Sequence, residues 1–142
     1  MAAAGFKSKK ELRKLLDDVL SEMDADIDST SRMRALASPL QFEFTDLKLF
    51  LNIGPAKADG GLRWDFKRRS KTKPKLRLVM SSEVANRVFQ GRENPAIAIA
   101  RGRVRPKVSD HAAALAFFPA ARPMFARYRE VVVEKYPHLT ID

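Results

Sequence analysis

Leu12, Leu15, Leu16, Val19 and Met23 recur at the three- and four-residue spacing that gathers side chains on one side of an α-helix. Ser8-Lys9-Lys10-Glu11 in front of them is a capping-box pattern, in which the serine oxygen and the glutamate carboxylate satisfy first-turn amides that lack helical partners. The spacing predicts a helix over 9–23. The acidic run 24–28 resembles the opening of a calcium loop. Ser29 stands where that loop's turn glycine belongs and Ala35 where its bidentate glutamate belongs, so the run reads as a solvated helix end, with a connector over 29–39.

From residue 41 the period falls to two. Phe42 and Phe44 lie on one parity, and Leu47, Leu49, Leu51 and Ile53 on the other; a one-residue offset swaps faces, so a strand with a bulge near Thr45 and Asp46 is expected. Gly54-Pro55 and Gly60-Gly61 bracket a loop. Leu62, Trp64 and Phe66 then alternate with Arg63, Asp65 and Lys67, and Leu76, Leu78 and Met80 alternate around Arg77, predicting two further strands.

Past Met80 the helical period returns. Ser81 is placed as an N-cap, Glu83 suits the positive end of the helix dipole, and Val84 and Val88 share a face with Phe89 beside them. Gly91 is placed to end this helix in a left-handed cap, and Asn94-Pro95 to start another. Residues 96–100 alternate as a strand would, but the asparagine in front and Gly102 behind decide for a short helix packed through its alanines. Pro106 cannot donate to a sheet ladder, so a short strand over 103–108 belongs at an edge. A helix is expected over 110–118. Breaks follow at Pro119 and Pro123, then a last helix carrying Phe125, Tyr128 and Val132 on one face and stopped by Pro137. The element order gives an α+β (α/β) fold, an antiparallel-rich sheet of about four to five strands with helices over one face.

A length of 142 residues fits one domain over 1–142, with the helix and connector over 1–39 in front of the remainder. The chain has no cysteine, which excludes disulfides and thiolate-bound zinc. No apolar run approaches the roughly 20 residues of a membrane span, and the first residues offer no secretory core, so a soluble, cytoplasmic chain is expected. The net charge of +10 favours contact with nucleic acid, acidic phospholipid or a phosphate-bearing ligand. Lys67, Arg68, Arg69, Lys71, Lys73 and Lys75 concentrate that charge between two strands, as a solvated hairpin loop or a contact for an anionic membrane surface. A nucleic-acid interface would need stacking aromatics beside them, whereas Trp64 and Phe66 alternate toward the core. Arg101, Arg103 and Arg105 read as surface charges or as a patch for a ligand phosphate.

The two histidines are His111 and His138. Ser109-Asp110-His111 has the residue types of a catalytic triad, but sequence neighbours point apart and cannot align as nucleophile, base and orienter. No nucleophile elbow, phosphate loop, dinucleotide turn or His-Glu-x-x-His is present. Neither an enzyme nor a metal or cofactor is expected.

The run Met80-Ser81-Ser82-Glu83-Val84, followed by Gly91-x-x-Asn94-Pro95-x-x-Ala98-x-x-x-Gly102, resembles the sterol carrier protein (non-specific lipid-transfer) domain, in a bacterial-type form. Upstream, Phe42-Glu43-Phe44-Thr45-Asp46 and the leucines to Leu51 are similar to the family's first strands. Downstream, Phe118-Pro119 and the stretch 122–129 are similar to its proline-broken C-terminal helices. The likeness covers residues 40–136. Val108 stands where members commonly carry a glycine. The resemblance implies an apolar tunnel for a fatty acid, sterol or acyl-coenzyme A, with the C-terminal helix near its mouth and no reaction. On that fold the expected lining is Trp64, Phe66, Met80, Val84, Val88, Phe89, Ile97, Phe118, Phe125 and Tyr128. Two other readings compete: a basic nucleic-acid-binding module centred on 67–77, and an interaction subunit whose apolar residues simply fill a core.

Overall fold

The computed structural model describes residues 6–25, 40–55, 62–69, 74, 76–107, 117–119 and 121–141. Helix α1 (Lys9–Asp24) forms on the expected stripe, with Leu12, Leu15, Leu16, Val19, Leu20 and Met23 all buried. Full burial of such a side chain is worth about 1.5–3 kcal/mol, so packing rather than propensity holds this helix. The Ser8 hydroxyl accepts from the Glu11 amide, while the Glu11 carboxylate accepts from the Lys7 amide, one residue earlier than a standard capping box.

Five strands follow: β1 (Leu40–Phe44), β2 (Leu49–Pro55), β3 (Leu62–Asp65), β4 (Leu76–Met80) and β5 (Arg105–Pro106). They lie in the order β3-β2-β1-β4-β5, antiparallel except where β1 and β4 run parallel. The period-two stretch from residue 41 is therefore two strands rather than one bulged strand. Residues 45–48 form a tight turn in which Lys48 takes φ 52°, and Phe42 faces Leu51 across the hairpin. The change of parity marks a reversal of the chain. Pro106 sits in the edge strand β5, where its missing N–H breaks no central ladder.

Helix α2 (Ser82–Phe89) starts on the Ser81 hydroxyl, which accepts from the Val84 amide. Gly91, at φ 75°, ends it: the Gly91 amide donates to the Val88 carbonyl and the Arg92 amide to that of Arg87. This paired closure is a Schellman cap, for which glycine has the lowest cost. Helix α3 (Pro95–Ala100) opens under the Asn94 carboxamide oxygen, which accepts from the Ala96 and Ile97 amides, and closes in a second such cap at Gly102. Phe117 to Pro119 are helical; the remainder of the helix expected over 110–118 lies outside the described residues. Helix α4 (Arg122–Lys135) packs antiparallel on α1, with Arg127 near Glu22 and the Tyr136 hydroxyl donating to Asp18, and a 3-10 turn (Pro137–Leu139) follows.

The inward-facing rows of the sheet (Leu40, Phe42, Phe44; Leu49, Leu51, Ile53; Leu76, Leu78, Met80) meet α1, α2 and α4 in one apolar core. The opposite face carries Gln41, Glu43, Asn52 and Arg77, yet Gln41 is only 4% and Asn52 only 6% exposed. The chain leaving β3 covers them. Since β3 and β4 flank the β1–β2 pair, the segment after Asp65 crosses the outer face of the sheet instead of closing a hairpin. The Asn52 amide donates to the Lys67 carbonyl (2.7 Å) and that of Gln41 to the Arg68 carbonyl (3.1 Å), fixing the crossing. The expected basic hairpin loop is thus a basic crossover. Its side chains at Lys67, Arg68 and Arg69 are exposed; Lys71, Lys73 and Lys75 lie outside the described residues.

Candidate functional site

The residues singled out in the sequence do not line one surface. Met80, Val84, Val88, Phe89 and Tyr128 are buried core side chains. Trp64 and Phe66, in and just after the edge strand β3, are half-buried; they pack on the rim of the core and face α1. Alternation turned them toward the helices, but β3 is an edge strand and its last residues overhang the core. Ile97 is 50% exposed. The reason is the length of α3: a six-residue helix has room to bury one side chain, Ala98, and Ile97 then lies about 100° round the axis from it. A tunnel lined by Trp64, Phe66 and Ile97 together is not what the described residues form.

What the fold does bring together is a groove of about 510 Å³ at the junction between α2 and α3. Val88, Pro95, Phe118 and Phe125 form its apolar part, Gly91 and Asn94 its backbone wall, and Arg92, Glu93 and Arg122 its polar edge. The glycine cap at Gly91 explains why this junction is open: it turns the chain sharply, so the segment from Gly91 to Pro95 leaves α2 instead of continuing it. Glu93 stiffens the turn. Its carboxylate accepts from Arg103 (2.7 and 2.9 Å) and Arg87 (3.1 Å), and these hydrogen bonds, that from Arg103 first, hold its pKa below the ordinary carboxylate value against the opposing effect of burial.

Behind the groove the aromatic rings run inward in an unbroken series. Phe118 meets Phe125 (6.0 Å between centroids), Phe125 stacks on Phe89 (5.1 Å), and Phe89 meets Phe42 edge-on (5.6 Å). The groove is therefore backed by rings, not polar groups. Phe125, half-buried between Phe89 and Phe118, is the ring at the boundary.

Beneath these rings lies a buried polar cluster that the sequence did not announce. Tyr128, expected near a mouth, is fully buried, and its hydroxyl donates to Asn86 Oδ1 (2.7 Å). Gln90 Nε2 donates to the same oxygen (2.7 Å) and to the Leu139 carbonyl (2.9 Å), which also accepts from Asn86 Nδ2 (3.0 Å). The Ile141 amide donates to Gln90 Oε1, tying the C-terminal segment to α2. Burial raises the Tyr128 pKa well above the ordinary phenol value. Every polar atom here is paired within the protein, so the cluster is structural and offers no proton chemistry to a ligand.

Among the described residues, no three His, Asp or Glu side chains are placed to hold a metal ion, and no helix is long and apolar enough to cross a membrane. Arg92, Glu93 and Arg122 were not singled out as site residues from the sequence. Their signal lay in their places, immediately after the Gly91 cap and before Pro123.

No protein-family model matches the chain, and no curated protein matches it in sequence. Comparison of folds does find relatives. A conserved hypothetical protein of Thermus thermophilus superposes with a TM-score of 0.62 at 13% identity, over 90% of this chain and 90% of that one. Sterol carrier protein 2 of Yarrowia lipolytica, in its apo form, gives 0.59 at 10% identity, over 89% and 97%. The stereoselective inverting sec-alkylsulfatase Pisa1 of a Pseudomonas species gives 0.56 at 17% identity, and there the match spans 71% of this chain but 15% of the sulfatase. The fold is that of sterol carrier protein 2.

Proposed function

We propose that the chain is a non-enzymatic carrier of an apolar ligand, taken up through the groove bounded by Val88, Pro95, Phe118 and Phe125. The observation that carries this reading is the position of that groove on a sterol-carrier fold: it lies at the α2–α3 junction with packed aromatic rings behind it. Fatty acids, sterols and acyl-coenzyme A are the ligand classes that fit an oily interior. Arg92 and Arg122 at the edge favour those that end in an anion.

Magnitudes decide whether an acyl chain can enter. Displacing Phe125 from Phe89 and Phe118 gives up two ring contacts, each worth about 0.5–1.5 kcal/mol beyond buried area. A chain burying ten methylenes returns roughly 8 kcal/mol, at about 0.8 kcal/mol each. The return exceeds the cost of moving the rings. The basic crossover supports loading from a membrane, since cations near an anionic leaflet contribute about 1 kcal/mol each, and Lys67, Arg68 and Arg69 are exposed on a backbone held by Gln41 and Asn52.

Solvent extraction of the purified protein followed by mass spectrometry, together with titration of a fluorescent fatty acid, tests the reading. A co-purified lipid or saturable binding is expected. Absence of both, repeated across preparations, removes it and leaves a filled-core interaction subunit.

A further inference from the structure

A second concave site lies elsewhere on the molecule, and it shares no residue with the groove just described. Between α1 and β3 is a cleft of about 770 Å³ lined by Lys10, Arg13, Lys14, Asp17, Trp64, Asp65, Phe66 and Lys67. That volume is within the roughly 300–1,000 Å³ range of small-molecule sites. We propose that this cleft binds the phosphate of a phosphate ester, with Arg13 as the principal ligand to it and Lys10, Lys14 and Lys67 around it.

The charge balance supports an anion. Lys10, Arg13 and Lys14 follow one another at helical spacing on α1, and Lys67 stands on the opposite wall. None of the four side chains is in an ion pair among the described residues. The two carboxylates in the cleft are engaged otherwise. Asp17 accepts from the Trp64 indole N–H (2.9 Å), while Asp65 accepts from the Asn52 amide (2.8 Å) and the Lys67 backbone amide (3.0 Å).

Arg13 is also oriented in advance. Its guanidinium lies over the Phe66 ring, 5.0 Å from the centroid. Among the described residues its N–H donors are in no hydrogen bond or ion pair, and guanidinium donors match phosphate oxygens in pairs. The indole of Trp64, fixed by Asp17, adds a second apolar wall that lowers the local dielectric and strengthens attraction for an anion. A bilayer surface is flat and cannot enter a cleft as a whole. The phosphate of a single lipid headgroup can, as can a soluble phosphate ester.

This inference is independent of the apolar-ligand reading, and Trp64, the chain's one tryptophan, reports on it directly. Intrinsic fluorescence of the full chain would be titrated at low salt with phenyl phosphate, with benzyl alcohol as the neutral control, with vesicles of phosphatidylcholine alone or with phosphatidylglycerol, and with a thymidine dodecamer. A saturable response to phenyl phosphate is expected, with the half-saturating concentration raised at least tenfold in Arg13→Gln and at least threefold in Lys14→Gln. If only the phosphatidylglycerol vesicles respond and both variants lose the response, the phosphate is that of a lipid. A response equalled by benzyl alcohol, one unchanged in both variants, none with any probe, or one confined to the oligonucleotide would each overturn the proposal. Unfolding midpoints check the variants. Lys14, exposed and in no ion pair among the described residues, keeps the test decisive should Arg13→Gln prove unstable.

Discussion

Replacing Asn86 by alanine should destabilise the protein far more than the size of the change suggests, and Tyr128→Phe should hide part of that loss. The Asn86 carboxamide makes three hydrogen bonds, to the Tyr128 hydroxyl, to Gln90 Nε2 and to the Leu139 carbonyl. In Asn86→Ala, Gln90 Nε2 and the Leu139 carbonyl still have each other. The Tyr128 hydroxyl has nothing, and it is fully buried. A stranded buried hydroxyl costs about 1–3 kcal/mol and the remaining lost bonds about 1 kcal/mol, so the expected loss is about 3 kcal/mol. Tyr128→Phe alone removes one bond and leaves Asn86 Oδ1 still accepting from Gln90, for about 1 kcal/mol. The double variant has no hydroxyl to strand, so it should be no less stable than Asn86→Ala. That corresponds to a coupling of at least ~1 kcal/mol between the sites. Urea unfolding of the four proteins, followed by far-ultraviolet circular dichroism, measures the cycle. Additive losses, or an Asn86→Ala loss below about 1 kcal/mol, would show that the cluster is not closed as described.

Three further outcomes follow from single contacts. Asp46, in the β1–β2 turn, accepts from the Ser82 amide (2.7 Å) and hydroxyl (2.6 Å), so it caps α2 from a distant part of the chain. Asp46→Ala should cost about 1–2 kcal/mol in urea unfolding, and a loss under a few tenths would refute that role. Tyr136 is pushed up to about 12 from 10.0, first by burial and then by the Asp18 charge. Its folded state thus holds the proton more tightly than its unfolded state, and the contribution to stability is complete below pH ~10 and fades as pH rises toward ~12. Urea unfolding between those limits should show stability falling less steeply in Tyr136→Phe than in the parent chain. In the groove, Arg122→Gln should weaken a fluorescent fatty acid about fivefold, near the 1 kcal/mol of an exposed charge contact. It should leave the methyl ester unchanged, and equal losses for both would place the carboxylate elsewhere.

The parts legible in the sequence were those written in local chemistry. The α1 stripe, the Ser81 and Asn94 caps, the glycine stops at Gly91 and Gly102, and the edge position of Pro106 each depend on residues within a few positions of one another. The family likeness at 80–102 drew on the same caps, which is why the fold was readable where sequence identity to relatives is 17% or below. What failed depended on strand order. A reversal at residues 45–48 and a bulge both change parity, and only the pairing of Phe42 with Leu51 separates them. Strand order also decides what the basic segment is. With β4 beside β3 it would be a hairpin tip with its charges all round it. With β1 and β2 between them, it must cross the sheet, and its Lys67 and Arg68 carbonyls accept from the Asn52 and Gln41 carboxamides, which also donate to Asp65 and Asn52 on the covered face. The same ordering leaves β3 at an edge, so Trp64 and Phe66 overhang the core and meet α1 across a cleft rather than closing over a tunnel. Alternation in sequence assigns a side chain to a face of its strand. Whether that face is interior or cleft is settled by the strand's neighbours, and for Trp64 and Phe66 one of those neighbours is the charged side of a helix some fifty residues earlier.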